Sequence, residues 1–337
     1  MKKIFNLIVS FVLLAGFSAC NKDGSDKPGL PPAPVPTVNY KGLTFISSGK
    51  STVCLAKVGA PDEITLEYST DESQWNPYTL GEKISLADGT FLLFRAGEQK
   101  NLTFSKGSDS YYHFEISGPV TAQGDIMSLL DRDFSTPLST NAFFALFEGC
   151  KSLLSAPELP ATTMAQGCYF RMFAECTGLT SAPELPAEAL AYNCYGRMFK
   201  GCSALTYVPD LPATKMEAYC YNSMFANCTS LKFAPELPAK RLESNCYQHM
   251  FEGCTSLTSA PELPATELVS NCYEFMYKDC RNLRYVIGLF TTEPSKKTTE
   301  DWLSGVAASG TFIKSEKATW DVTGAHGVPE GWKIETW

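Results

Sequence analysis

The chain has 337 residues, of which 44% are hydrophobic and 19% are charged. This composition excludes a disordered polypeptide, because it supplies enough apolar side chains for one large domain or two ordinary domains. The formal net charge is −8 at pH 7. An acidic balance of this size argues against nucleic acid as a partner and against electrostatic docking on anionic lipid headgroups.

Residues 1–19 are predicted to form a signal peptide. Lys2 and Lys3 precede an apolar stretch from Ile4 to Leu14, which is too short to span a bilayer as a mature helix. A small-residue cleavage zone follows, Gly16-Phe17-Ser18-Ala19-Cys20. Removal of this segment would take away two of the 28 basic residues and none of the 36 acidic ones, which leaves a net charge of −10.

The cleavage zone resembles the lipobox of bacterial lipoproteins, although Phe17 stands where leucine is usual. The resemblance implies that Cys20 carries a lipid, palmitate included, and becomes the mature N-terminus. The alternative is an ordinary secretory signal in which Cys20 is incidental. Residues 20–38 are polar and then proline-rich, which is typical of a semi-extended tether. We therefore expect an exported protein, anchored by lipid at the outer membrane or cell surface.

Residues 39–119 contain short runs rich in β-branched and aromatic side chains, separated by turn-forming residues. The runs are Ile64–Tyr68, Lys83–Leu86, Thr90–Arg95, Asn101–Phe104 and Tyr111–Ile116. Strands at this spacing, with no helix-period stretch among them, predict a small antiparallel β-sandwich domain.

The next segment is a repeat of 26 residues. One cysteine series marks the period with Cys150, Cys176, Cys202, Cys228, Cys254 and Cys280. A second series precedes its later members by eight residues: Cys168, Cys194, Cys220, Cys246 and Cys272. A lone unit of this length cannot bury its apolar side chains, whereas stacked copies share a continuous core. The period therefore predicts a solenoid over residues 120–290.

Each repeat divides into two halves. The cysteine, tyrosine, methionine and phenylalanine positions between Cys168 and Cys176 fall on one stripe, which predicts a short helix. The Pro183-Glu184-Leu185-Pro186 half allows only a short strand, because proline cannot donate to a ladder. The fold class predicted is an α/β solenoid. We interpret the tyrosine and methionine ladders as core and the cysteines as buried thiols, with some disulfides as the alternative and zinc disfavoured.

The repeat is similar to the BspA-like leucine-rich repeats of bacterial surface proteins. Cys254, Leu257, Leu263-Pro264 and Met276-Tyr277 before Cys280 carry the resemblance. The unit is longer than usual in that family. The resemblance implies a leucine-rich-repeat-type fold and a role in adhesion or host interaction, with a protein or glycan as ligand.

Residues 291–337 depart from the repeat pattern and are predicted to cap its open end. They include a helix predicted from Thr298 to Val306. Gly310–Lys314 and Gly327–Ile334 are similar to the closing segment of lipoproteins from gut Bacteroidetes.

Positions that vary between repeats are candidates for a binding face, because core packing does not fix them. These candidates are Arg197, Asn222, Gln248, His249 and Glu274. A second set comprises one acid per repeat in the proline-flanked turn: Glu158, Glu184, Asp210, Glu236 and Glu262. A solvated acidic strip is favoured over a calcium site there, because single carboxylates lack the dense set of oxygens that calcium prefers.

The sequence favours binding over catalysis. The three histidines, His113, His249 and His326, lie outside recognised metal or nucleophile motifs. No cofactor and no metal site are predicted. An adhesin-like binding module is the first hypothesis, a structural spacer of the cell envelope is the second, and a glycan-active enzyme is the third.

Overall fold

The computed structural model describes residues 41–99 and 102–337. The predicted signal peptide, Cys20 and the whole of the predicted tether lie outside these residues. The described chain consists mostly of short strands in three sheets, with almost no helix. None of its helices is long and apolar enough to cross a membrane, in the part of the chain that is described.

In the part of the chain that is described, nine strands precede the cysteine repeats. They are β1 (Thr44–Ser47), β2 (Ser51–Val58), β3 (Leu66–Ser69), β4 (Asn76–Pro77), β5 (Ile84–Leu86), β6 (Phe91–Ala96), β7 (Ser105–Gly107), β8 (Ser110–Ser117) and β9 (Val120–Gln123). The remaining strands are β10 (Leu153–Ser155), β11 (Glu262–Leu263), β12 (Tyr285–Gly288), β13 (Thr311–Lys314) and β14 (Lys333–Thr336).

The strands before the repeats form two sheets. One has the order β10-β9-β1-β6-β3-β4 and the other the order β5-β2-β8-β7, and all pairs except β10 with β9 are antiparallel. Phe45 of β1 and Phe94 of β6 meet Phe114 of β8, with ring centroids 5.0 and 5.5 Å apart. The two sheets therefore bury aromatic side chains against each other.

The first repeat continues this packing. Its strand β10 pairs in parallel with β9, and the ring of Phe147 stacks on Phe114 with centroids 5.2 Å apart. One hydrophobic core consequently runs from the two sheets into the repeats.

Equivalent side chains of successive repeats lie directly on top of one another. The rings of Tyr169, Tyr195, Tyr221 and Tyr247 stack at centroid distances of 5.8 to 5.9 Å, with interplanar angles of 10° or less. These tyrosines and the corresponding methionines, phenylalanines and cysteines are almost completely buried. The prediction that the ladders are core is confirmed.

The predicted helix from Cys168 to Cys176 is wrong, and with it the α half of the α/β assignment. The backbone alternates between two kinds of hydrogen bond. Tyr195 N donates to Cys220 O of the next repeat at 3.0 Å, whereas Met198 N donates to Tyr195 O within its own repeat at 3.2 Å. Half of the N–H groups thus donate to the next repeat and not to their own, so a continuous i to i−4 helical ladder does not form.

Residues with positive φ explain this backbone. They recur every fourth residue, as at Asn193 (φ 54°), Arg197 (55°) and Gly201 (77°). At each such residue the backbone leaves the right-handed helical conformation. The apolar positions consequently repeat every four residues, whereas an α-helix would repeat them every 3.6. Glycine and asparagine tolerate this conformation best, which is why they recur there. The recurrence of these two residues is visible in the sequence.

The proline-containing half of the repeat forms little regular structure. Only β10 and β11 extend beyond single bridges such as Ser181–Tyr207 and Phe233–Ser259. From β11 onward the chain adds β12, β13 and β14 in parallel, one beside the next.

The C-terminal segment copies the repeat hydrogen-bond pattern. Its single helix, α1, covers only Lys296–Thr299, and turns follow where a helix to Val306 was predicted. These turns place Trp302 O in position to accept from Tyr277 N at 2.8 Å, which a continuous helix would not do. The indole of Trp302 is buried and donates to Gly327 O at 2.8 Å.

Candidate ligand-binding groove

An open groove of about 430 Å³ crosses four adjacent repeats. Its volume is within the range of about 300–1,000 Å³ that is usual for small-ligand sites. Four of the candidate binding residues predicted from the sequence line it together: Arg197, Asn222, Gln248 and His249. They come from three different repeats and meet because the repeats stack in register.

Two residues that line the groove, Asn193 and Phe170, pack closely over Gly196. A Cβ atom at Gly196 would lie 2.1 Å from Asn193 Oδ1 and 2.9 Å from Phe170 Cδ2. Both distances are shorter than a van der Waals contact, so a larger side chain would displace Asn193 and Phe170 from the groove wall.

A chain of polar side chains runs along one wall. Ser223 Oγ donates to Asn222 Oδ1 at 3.1 Å, and Asn222 Nδ2 donates to Gln248 Oε1 at 2.8 Å. Gln248 Nε2 in turn donates to the carboxylate of Glu274. All the bonds point the same way and polarise one another. Each amide keeps further donor and acceptor capacity for a ligand. Glu274 therefore anchors this wall but does not line the groove.

Two tyrosines also line the groove, and sequence reasoning missed both. Tyr192 is 44% exposed, and its ring meets Tyr219 edge-to-face at 5.7 Å. Tyr219 adopts a φ of +60°, where bulky residues are strained. The equivalent position holds glycine or asparagine in the neighbouring repeats: Gly167, Asn193, Asn245 and Asn271. A tyrosine at a position that otherwise holds glycine or asparagine was the sequence signal that could have identified Tyr219.

The groove also contains two cations, of which Lys200 was not predicted. Arg197 is exposed and its guanidinium lies 5.9 Å from the ring centre of Phe170. Within residues 41–99 and 102–337, neither Arg197 nor Lys200 forms an ion pair. The acid that lines the groove, Glu252, is held by His249 at 2.7 Å.

Ser223, His249 and Glu252 are residue types of a hydrolytic triad, but their geometry differs from one. The Ser223 hydroxyl donates to Asn222, and the ring of His249 stacks on Phe275 with centroids 4.7 Å apart. Among these described residues, no hydrogen bond joins Ser223 to His249. A nucleophile needs that contact for activation by its base.

The acidic ladder lies away from the groove. Glu158, Glu184, Asp210 and Glu236 are exposed, and Glu262 is half-exposed in β11. In one contact between neighbouring turns, Asp210 Oδ1 accepts from the backbone N–H of Glu236 at 3.2 Å. The predicted acidic strip and the predicted variable face are thus two separate surfaces.

The cysteines have no part in the groove. All twelve in the described residues are buried and free. In the series that ends each stripe, the thiol donates to a carbonyl of the preceding repeat, as Cys254 Sγ does to Phe225 O at 3.1 Å. Burial raises the pKa of Cys254 to about 12. No group of three or more potential metal ligands occurs in the described chain.

The sequence and fold were compared with known proteins. No protein-family profile matches the chain, and neither a curated protein nor a solved structure matches it.

Proposed function

We propose that this protein is an exported, lipid-anchored binding protein whose stacked 26-residue repeats form a solenoid. In this proposal the groove around Arg197 and Asn222 holds a protein or glycan ligand without catalysing a reaction. The two sheets before the repeats act as a small sandwich at its N-terminal end. The resemblance to BspA-like surface proteins supports an adhesive role.

One observation carries the proposal. The positions that vary between repeats, while the core positions stay constant, converge on one open groove. Its rim includes an exposed aromatic ring, that of Tyr192, which meets Tyr219 edge-to-face.

Binding is tested with the full-length protein, purified in detergent, on an array of polysaccharides and a panel of extracellular proteins. We expect saturable binding to at least one ligand. The variant Tyr192→Ala should weaken it roughly tenfold, because a well-placed aromatic contact is worth about 1 kcal/mol or more.

Phe233→Ala is the matched control, since Phe233 is 40% exposed but lies outside the groove. Equal losses in both variants would contradict a groove site. If no ligand on either panel binds saturably, the protein is better described as an envelope spacer.

Lipid attachment is tested separately by metabolic labelling with a palmitate analogue. Label should be present on the wild-type protein and on Cys54→Ala, whose thiol is buried, and absent from Cys20→Ala. Label that persists in Cys20→Ala would contradict anchoring at that residue. Protease treatment of intact cells then tests surface exposure, and full protection would contradict it.

A further inference from the structure

Arg197 lacks the acidic partner that its counterpart has. In the preceding repeat, Arg171 pairs with the carboxylate of Glu148, which lies 23 residues earlier in the chain. The residue that corresponds to Glu148 for Arg197 is Ala174. The repeat geometry thus keeps the arginine but replaces its counter-ion with a methyl group.

Two cations, Arg197 and Lys200, line the groove against one carboxylate, that of Glu252, within an acidic protein. Lys200, like Arg197, has no acidic partner among the described residues. The chain as a whole carries a net charge of −8. Two cations without counter-ions at one concave site favour an anionic ligand, because charge-assisted hydrogen bonds are the stronger ones.

The remaining groups of the groove fit a sugar ring. Tyr192 presents an exposed aromatic face, on which the apolar C–H face of a pyranose can stack. Asn222 and Gln248 also line the groove and offer amide donors and acceptors, which suit ring hydroxyl groups. The groove volume of about 430 Å³ gives the ring room.

An acidic peptide fits less well. Every backbone N–H group of residues 193–201 is already bonded, either to the next repeat or within its own. These residues consequently offer side-chain groups to a ligand, but no free backbone N–H group for pairing with an extended peptide. A ligand that is rich in hydroxyl groups suits these side chains better.

We propose that the groove binds a carboxylate-bearing sugar of an acidic polysaccharide, with Arg197 and Lys200 holding the carboxylate and Tyr192 stacking on the ring. This inference rests on the proposed binding function and assigns a ligand class to the same groove.

The experiment is calorimetric titration of the full-length protein with short oligosaccharides of galacturonate, glucuronate, mannuronate and sialate. Each is paired with the methyl ester of its carboxyl group, which keeps the ring and hydroxyl groups but removes the charge. We expect at least one acidic member to bind and its ester to bind about 10- to 100-fold more weakly, as expected for loss of a charge-assisted hydrogen bond.

Two variants sharpen the test. Arg197→Gln removes the cation, and Ala174→Glu rebuilds the counter-ion that Arg171 has, outside the groove lining. Both should reduce binding of the acid towards that of its ester. Arg241→Gln is the matched control, because Arg241 is exposed and does not line the groove. Circular dichroism and the melting temperature of each variant establish that it is folded.

Several results would overturn the inference. Equal affinity for an acid and its ester would show that the carboxylate is not recognised, while a loss in Tyr192→Ala would still support a glycan groove. Tighter binding of oligoglutamate than of every acidic sugar would assign the groove to an acidic protein. Failure of all acidic sugars would also reject the inference, and the polysaccharide array and protein panel would then decide the broader function independently.

Discussion

Replacement of Tyr247 by phenylalanine should stabilise the protein. Tyr247 is 1% exposed and its ring lies between Tyr221 and Tyr273, with centroid distances of 5.8 and 6.0 Å. Its hydroxyl is buried and has no hydrogen-bond partner within residues 41–99 and 102–337. Tyr247→Phe keeps both stacking contacts and removes only that oxygen.

The expected gain follows from desolvation. A buried hydroxyl without a partner costs about 1–3 kcal/mol, because its hydrogen bonds to water are lost on folding. Part of this is offset by the small void that the oxygen leaves. We therefore expect the free energy of unfolding to rise by about 1 kcal/mol. Guanidinium denaturation measures it as a higher midpoint at unchanged slope.

Tyr285→Phe is the control, since Tyr285 is 38% exposed and its hydroxyl faces water. Its effect should stay within about 0.5 kcal/mol. Tyr169 carries a second unpaired hydroxyl, three stacking steps of 5.8 to 5.9 Å away, so the two substitutions should be additive. Destabilisation of Tyr247→Phe by more than about 1 kcal/mol would refute the reasoning, because it would mean that the hydroxyl is bonded.

Three further predictions concern the groove, the thiols and the C-terminal segment. Gly196→Ala should weaken ligand binding more than stability, measured by titration and thermal melting, because the new Cβ displaces Asn193; unchanged affinity would contradict this. Cys254 should not react with Ellman's reagent at pH 8 in the native protein, since a pKa of about 12 leaves about one thiolate in 10⁴. Unfolding in guanidinium should expose the thiol to the reagent. Labelling of Cys254 in the native protein would contradict its burial. Trp302→Phe should lower the free energy of unfolding by about 2 kcal/mol, because it removes the bond to Gly327 O and leaves a cavity; a change below about 0.5 kcal/mol would show that this contact contributes little.

The sequence predicted which side chains are buried but not the backbone that buries them. The period of 26 residues and the constant Cys-Tyr-Met-Phe-Cys positions were sufficient to identify the core, because burial requires apolar side chains in any backbone. Helix and turn were not distinguished, since spacings of four residues fit both over one short stripe. Glycine and asparagine recur mainly at the first and last of the three positive-φ positions of a repeat, as at Asn193 and Gly201, and carried the distinguishing signal.

The groove was predicted in part for a similar reason. Variation between repeats identified Arg197, Asn222, Gln248 and His249, because equivalent positions are directly comparable in a sequence of fixed period. Tyr192 was missed because it lies beside the repeat's constant positions, and its contact with Tyr219 of the next repeat is seen only in three dimensions. The lack of a counter-ion for Arg197 became visible only when the Arg171–Glu148 pair was seen in three dimensions.

The alternating backbone hydrogen bonds give the repeat array a direction. Each repeat donates its outward N–H groups to the carbonyls of the following one, so the first repeat has carbonyls to satisfy and the last has N–H groups to satisfy. Phe104 N and Phe114 N supply donors to Ala142 O and Leu146 O at one end. Trp302 O supplies an acceptor at the other. The two terminal segments are consequently not interchangeable, and the array can lengthen or shorten only by whole units inserted in a single orientation. A gene encoding such a chain can gain or lose binding positions through duplication or deletion of whole repeats. The hydrogen bonds that the two terminal segments make to the array are kept in either case.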